Sequence, residues 1–599
     1  MAMLPTESYK ARIDILTQRL AVLDKRKNQV AWGRFFVVLL IGLTAWKLFP
    51  LSLLWGSIVV ATLAAIFGRL VMLAVDNKAA ITQVNRLLDI NRQELAIASG
   101  QYTSLPDGHE LLPAGHDYAQ DLDIMGRASV YQYMNRTTSQ QGHATLAQWL
   151  LQPAAINTLL QRQAAARELA PAGEWRQELQ ALGIEESITT DTEKRVNGWL
   201  AAPDSFSGKT AWKVLQWAYP VMTLGILLLH IAGLVTPQWF YGGLIVFIAF
   251  SFYISKLIIP HYLMLDKIMK EIAVLSKSAA CIEKMGFQND YLKQLQGYFL
   301  ANKLPASAGI KKLKDILDRF DYRLNPLVFV PLNAFLLWDL QLIFQLEKWR
   351  RLYKAYAGQW FTALGEMEAI NTIANLHFNQ PQWVFAQLDM ERHGTLEAVA
   401  LGHPLIAANK RVCSSFTTRG EARLALITGS NMAGKSTFLR SIGVNVVLAM
   451  MGAPACAERF TLSPMRIVST MRIADNLEES TSTFYAELKK LKYIIECVNR
   501  REKVFLLLDE ILRGTNSLDR HTGSRALVKQ LIQHGATGML ATHDLELAKL
   551  ENEYRQNIHN YHFDVQVAGE ELYFDYKLKE GVCTSLNASV LMRKIGIEM

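Results

Sequence analysis

In the stretch Gly429-Ser430-Asn431-Met432-Ala433-Gly434-Lys435-Ser436-Thr437 the first eight residues match G-x-x-x-x-G-K-[ST], a spacing that suits phosphate chemistry. Glycines let backbone N–H groups turn toward phosphate oxygens, and the start of the following helix adds positive partial charge. Lys435 is placed to reach the β and γ phosphates, and Ser436 to ligate Mg²⁺. A second chemical segment follows, Val504-Phe505-Leu506-Leu507-Leu508-Asp509-Glu510, an apolar run ending in two acids. Asp509 is expected to support Mg²⁺ through water and Glu510 to polarise an attacking water. The cofactors implied are ATP and Mg²⁺, and the reaction is hydrolysis of ATP to ADP and phosphate.

Such groups need strands and helices to hold them. Residues 424–428 read as a buried strand leading into the glycine loop, and residues 438–451 as the apolar helix leaving it. Residues 504–509 read as a second buried strand, parallel to the first and beside it. The expected class is therefore an α/β P-loop ATPase domain.

Further segments resemble the MutS family. These are Ser480-Thr481-Ser482-Thr483-Phe484 before the acidic strand, Arg513-Gly514-Thr515 after it, and Ala541-Thr542-His543 at the end of a later strand. The resemblance extends to Gly402-His403-Pro404-Leu405 and, upstream, to Asn135-Arg136-Thr137-Thr138 and Trp149-Leu150-Leu151-Gln152-Pro153, so that it spans roughly residues 115–599. It implies a dimer in which Ser480, Thr481, Ser482 and Thr483 of one subunit close over the γ-phosphate held by the other. It also implies Asn431 along the phosphates, Asp519 at the dimer seam, and His543 near the γ-phosphate and the attacking water. The plainer alternatives, a satisfied histidine at a strand end for His543 and a helix cap for Asp519, are the less favoured readings. Val412 and Phe416 are candidates for stacking on the adenine.

Half of the 599 residues are hydrophobic, and the excess is concentrated in two blocks. Residues 35–75 and 214–259 are almost continuously apolar, each long enough for two membrane-crossing helices and a tight turn. The competing reading is a pair of hairpins buried in a large soluble core. Lys10, Arg12, Arg19, Lys25, Arg26, Lys27 and Arg34 precede the first block, while Lys209, Lys213, Lys256, Lys267 and Lys270 flank the second. The hairpin tips are nearly uncharged, so the termini and all large segments are expected on the cytoplasmic side of an inner membrane. No signal peptide is expected, because residues 1–28 are polar and helical in pattern. Five scattered cysteines have no paired or metal-ligand spacing. The formal charge of +9 lies largely beside the apolar blocks, where it serves topology as readily as nucleic acid.

The expected order is an amphipathic helix (1–31), a transmembrane hairpin (32–76), the first half of an elongated all-α core (77–211), a second hairpin (212–260), the second half of the core (261–395) and the ATPase domain (396–599). Residues 263–300 and 310–375 read as long helices. Two departures from the MutS pattern bear on function. The Phe-x-Glu tripeptide that reads mismatches in the repair enzymes occurs nowhere in the chain. The second hairpin also stands where the family inserts a DNA-clamping domain. Two functions fit: a membrane-anchored, homodimeric MutS-like ATPase with a clamp-like cycle acting on DNA in mismatch-repair-related work, or a membrane-embedded scaffold or transporter-like ATPase that does not act on DNA. No Leu-Ser-Gly-Gly-Gln signature lies between Lys435 and Asp509, which disfavours an ordinary ABC transporter half.

Overall fold

The computed structural model describes residues 4–300, 305–430, 433–471, 483–568 and 571–583. They fall into two compact units, each assembled from several chain segments. One holds residues up to Gln101, Glu174–Met285 and Phe299–Gly358; the other holds Tyr102–Gly173, Gly286–Tyr298 and the chain from Gln359 onward.

The first unit is helical. Its opening helix, Pro5–Lys47, runs without a break through both the amphipathic stretch and the first apolar segment. After a short turn the partner helix Leu53–Ala98 returns, with Ser52 as its N-cap. The polar ends of the pair are packed: Leu16 lies against Val84, Leu87, Leu88 and Ile90, with Ile13, Leu20 and Leu23 at the edge. Asn91 and Gln177 exchange reciprocal side-chain hydrogen bonds of 3.0 Å, so these buried amides satisfy each other. The apolar ends are different. Trp32, Phe35, Phe36, Leu39, Leu43 and Trp46 are exposed.

The second hairpin, Thr210–Ile231 and Pro237–Asp266, turns at a tip where His230 stacks on Phe240 at 4.1 Å. Among the described residues four helices, two per hairpin, are long and apolar enough to cross a membrane, and only 0–22% of their most apolar windows is buried. A soluble protein core therefore does not cover them.

The long helices expected over 263–300 and 310–375 are instead broken. Asn325 caps a new helix at Pro326, because proline lacks an N–H and disfavours a helical residue before it. Leu337 adopts φ +48 and separates Pro326–Leu336 from Trp338–Tyr353 by a 78° bend.

The second unit carries an α/β domain with mixed sheets. Its main sheet has strands β1 (Leu424–Thr428), β2 (Arg466–Thr470), β3 (Val504–Asp509), β4 (Thr537–Thr542), β5 (Ile558–Ala568) and β6 (Glu571–Glu580) in the order β6-β5-β1-β4-β3-β2. β1 to β5 run parallel, and β6 pairs antiparallel at one edge. Contrary to the sequence expectation, the acidic strand β3 does not neighbour β1. β4 lies between them, because all six of its residues are buried and it fits the centre of the sheet. Helix Lys435–Met451 packs on this sheet almost wholly buried.

Segment 102–173 braces that helix and the sheet edge. Ser469 N donates to Asp117 O at 3.0 Å, Arg440 pairs with Asp123 at 3.1 Å, and the Arg162 guanidinium sits 3.5 Å over the Trp149 ring. Glu368 receives hydrogen bonds from the backbone and hydroxyl groups of both Thr138 and Ser139. A separate four-stranded sheet precedes the main one in sequence and is completed by Arg459–Leu462.

His403 lies within this unit. Burial and the neighbouring Arg440 and Arg411 push its pKa from 6.5 down to about 4, against a raising pull from Asp123. The unfolded chain therefore binds a proton there that the folded chain resists. Stability is full above pH 6.5 and falls as pH drops toward 4, with a limit of about 3 kcal/mol from this group. We expect the unfolding midpoint to fall less between pH 7 and pH 4.5 in His403→Gln than in the native chain; equal losses in both would remove His403 from the acid response.

Candidate functional site

β1 delivers the glycine loop and β3 the two acids, while β4, between them, is followed directly by His543; these strand ends meet at one edge of the sheet. Gly429 leaves β1 at φ +147, and a Cβ there would stand 2.8 Å from Phe563 O. Both facts demand glycine. Gly434 follows at φ +109, and the helix begins at Lys435.

Lys435 is buried, and its ammonium donates to Gly429 O at 2.7 Å and Ser430 O at 3.0 Å. Burial lowers its pKa, opposed by the charges of Glu510 and Asp509. Glu510 Oε1 lies 2.6 Å from His543 Nε2, so that ring nitrogen carries the proton and donates. The same nitrogen is 3.3 Å from Lys435 Nζ, which brings loop, acid and histidine to one point.

The hydrogen bond from His543, then the charges of Arg513 and Lys435, hold the Glu510 carboxyl below its usual range against the opposing effect of burial. Arg513 Nε lies 3.1 Å from Glu510 Oε2. Glu510 and Leu512 have φ +48 and +58, sparsely populated values for residues with side chains. Glu510 N donates to Ala541 O at 2.9 Å, which draws the end of β3 toward β4 and the histidine.

Asp509 is the residue that fits a metal. Among the described residues its buried Oδ1 has no hydrogen-bond partner, and its ion-pair partner Arg513 is 3.9 Å away. A buried carboxylate oxygen without a donor is suited to a hydrated cation. Ser436 follows Lys435 in the first turn of the helix and is partly exposed. Ala433 is buried, and Thr437 is exposed.

Asn431, Met432, Ser480, Thr481 and Ser482 lie outside the described residues; Thr483 opens the helix Thr483–Asn499. Asp519 is exposed in the first turn of helix Ser517–Gln533. The cap itself is Asn516, whose Oδ1 accepts from Asp519 N and whose Nδ2 donates to Asp519 Oδ2 at 2.7 Å. Of the adenine candidates, Val412 is exposed, but Phe416 is only 3% exposed. Tyr561 and Phe438 enclose the Phe416 ring at centroid distances of 5.6 and 6.2 Å, so it belongs to the core and is not available for stacking.

Three contacts were not foreseen from sequence. Arg513 braces both acids; its position four residues after Asp509 was the available signal. Phe484 packs on Gly514, where a Cβ would come within 2.6 Å of the Phe484 Cβ. Glu487, 2% exposed, accepts the Leu512 N–H, and burial raises its pKa. These last two tie the segment after Thr483 to the turn after the acids. Glu487→Ala should strand the Leu512 N–H and cost about 1–3 kcal/mol. The expected reading is a lowered unfolding midpoint that Glu487→Gln largely restores, since Gln keeps an acceptor; an unchanged midpoint in the alanine variant would refute the tie.

Beside Glu510 and His543 lies a cleft of about 380 Å³ whose lining includes Arg513, Ser517, Arg520, His521 and Asp544. His521 Nδ1 and Asp544 Oδ2 are 2.6 Å apart across it.

Fold and site define a helix-rich chain ending in an α/β domain, in which a glycine loop with its lysine faces an acidic strand and a histidine across three strand ends. Residues 425–592 match the family model "MutS domain V". The DNA mismatch repair protein MutS of Thermotoga sp. (strain RQ2) is 31% identical over 227 residues, 37% of this chain and 27% of that protein. Its counterpart from Aquifex pyrophilus is 33% identical over 225 residues, 37% of this chain and 26% of that protein. Human MutS protein homolog 4 is 32% identical over 196 residues, 31% of this chain and 20% of that protein. The C-terminal part of the chain thus carries a domain of the MutS family. The match spans about a quarter of the length of these relatives.

Proposed function

We propose that this chain is a membrane-anchored, homodimeric ATPase of the MutS type, facing the cytoplasm and acting on DNA in work related to mismatch repair. The observation that carries the ATPase reading is the convergence of Lys435, Glu510 and His543 beside an Asp509 oxygen that has no hydrogen-bond donor among the described residues.

In this reading the loop backbone and Lys435 hold the phosphates, exchanging the Gly429 and Ser430 carbonyls for phosphate oxygens. Ser436 and Asp509 would hold Mg²⁺, which supplies charge neutralisation to the β and γ oxygens when bound. Glu510 stays ionised at neutral pH because His543, Arg513 and Lys435 face it. It orients a water for attack on the γ-phosphorus and accepts that water's proton as the bond to the β-phosphate oxygen breaks, giving ADP and phosphate. His543 holds the carboxylate in place from the end of β4. Anchoring is supported by four long apolar helices that no protein core covers, with basic residues at the same side of both hairpins.

The sequence resemblance also supports a second reading, an ATP-driven membrane scaffold that does not act on DNA, because it implies a DNA-clamping domain at the place in the chain where the apolar hairpin Thr210–Asp266 is found. The two separate on ATP turnover of the purified chain with and without duplex, mismatched and branched DNA at two salt concentrations. Salt-sensitive stimulation by DNA is expected for the first reading. Turnover indifferent to every DNA would overturn it in favour of the second.

A further inference from the structure

The helix Pro326–Leu336 lies outside the two apolar blocks of the sequence, yet residues 325–338 contain no charged side chain. It lies against both helices of the second hairpin. Phe329 meets Phe252 edge to face at 6.0 Å, and Asn333 Nδ2 donates to Ser255 Oγ at 2.9 Å.

Both of its ends are satisfied by protein groups. At the start, Pro326 has no N–H, Leu327 N donates to the Asn325 side chain, and Val328 and Phe329 donate to Asn325 O. At the end, Tyr219 Oη donates to Ala334 O at 2.9 Å, Thr223 Oγ1 to Phe335 O at 2.6 Å, and Gln341 Nε2 to Leu336 O at 3.3 Å. A helix in water can leave these terminal groups to solvent, whereas one in hydrocarbon cannot.

Tyr219 and Thr223 belong to the candidate span Thr210–Ile231, about 14 and 20 Å along from its first residue at 1.5 Å per residue. The face turned away from the hairpin carries Leu327, 88% exposed, with Val328 and Pro331. It is thus continuous in depth with the uncovered apolar surface of the spans. The 78° bend at Leu337 turns the chain away, and Arg323 closes the base by pairing with the buried Asp339 at 3.0 Å.

We propose that Pro326–Leu336 is a re-entrant helix seated in the cytoplasmic leaflet, with its Leu327, Val328 and Pro331 face against lipid acyl chains. This rests on the membrane-anchored reading above. Charge-free composition, protein-capped ends and depth along the hairpin all suit hydrocarbon as the occupant of that face.

The test places an environment-sensitive fluorophore on Leu327→Cys or Val328→Cys in the full chain, reconstituted in vesicles whose acyl chains carry bromine quenchers. The exposed Cys413 is replaced by serine, and Cys281 reacts little, its thiol pushed up to about 12 by burial. Val246→Cys, in the candidate span, and Leu160→Cys, on an exposed site of the other unit, are the references. The expected result is a loss of fluorescence at Leu327→Cys and Val328→Cys matching that at Val246→Cys, with none at Leu160→Cys. Quenching at Val246→Cys alone would overturn the re-entrant helix and leave the anchor standing; protection of the two positions from aqueous iodide would then assign the face to a second copy of the chain. No quenching at Val246→Cys would overturn the anchor, and the helix with it.

Discussion

Glu510→Gln is expected to bind ATP with near-native affinity while turnover falls by about a hundred- to ten-thousandfold, the range for loss of a positioned proton acceptor. The substitution keeps the size of the side chain and one oxygen for the His543 proton at 2.6 Å. What it removes is the negative charge toward which His543, Arg513 and Lys435 are all directed. Phosphate release and equilibrium binding of labelled nucleotide, measured on the same preparation, separate the two effects. Unchanged turnover would take Glu510 out of the proposed chemistry and leave the strain at φ +48 without a catalytic reason.

Lys435→Ala should reduce ATP affinity by roughly ten- to a hundredfold, since a hydrogen bond to a charged group contributes about 1.5–3 kcal/mol. The ammonium also ties the carbonyls of Gly429 and Ser430 at 2.7 and 3.0 Å, so the loop that must present its N–H groups loses an internal tether. Retention of the native unfolding midpoint would show that the loss is local. Normal affinity in a folded variant would undo the assignment of this loop to phosphate.

The parts of this site that could be read in the sequence are those set by short-range spacing. An apolar run, two glycines and Lys435 at fixed intervals specify a strand, a tight loop and a helix start, and these are the observed elements Leu424–Thr428 and Lys435–Met451. An apolar run ending in two acids likewise identified Val504–Asp509. The order of strands was not readable. Both β3 and β4 are buried on both faces, and nothing in such a run says which of them neighbours β1.

The Phe416 ring could not be distinguished from an exposed aromatic, because its enclosure depends on Tyr561, far along the chain. The bracing by Glu487 was hidden for the same reason: its partner, the Leu512 N–H, is a backbone group 25 residues away that no motif records. The break at Leu337 is a different kind of omission. Leucine carries no turn signal, and the left-handed residue there is imposed by tertiary contacts on both flanking helices. The two units, each built from several segments, reflect returns of the chain that local periodicity does not encode.

Hydrolysis of ATP at Lys435, Asp509 and Glu510 is the proposal on which every other assigned role depends. It is tested most directly by phosphate release from ATP by the purified full chain in detergent, with Mg²⁺ and with the metal chelated. Steady release that requires Mg²⁺ is expected; no release with Mg²⁺ present, or release that persists equally without it, would refute hydrolysis at this site.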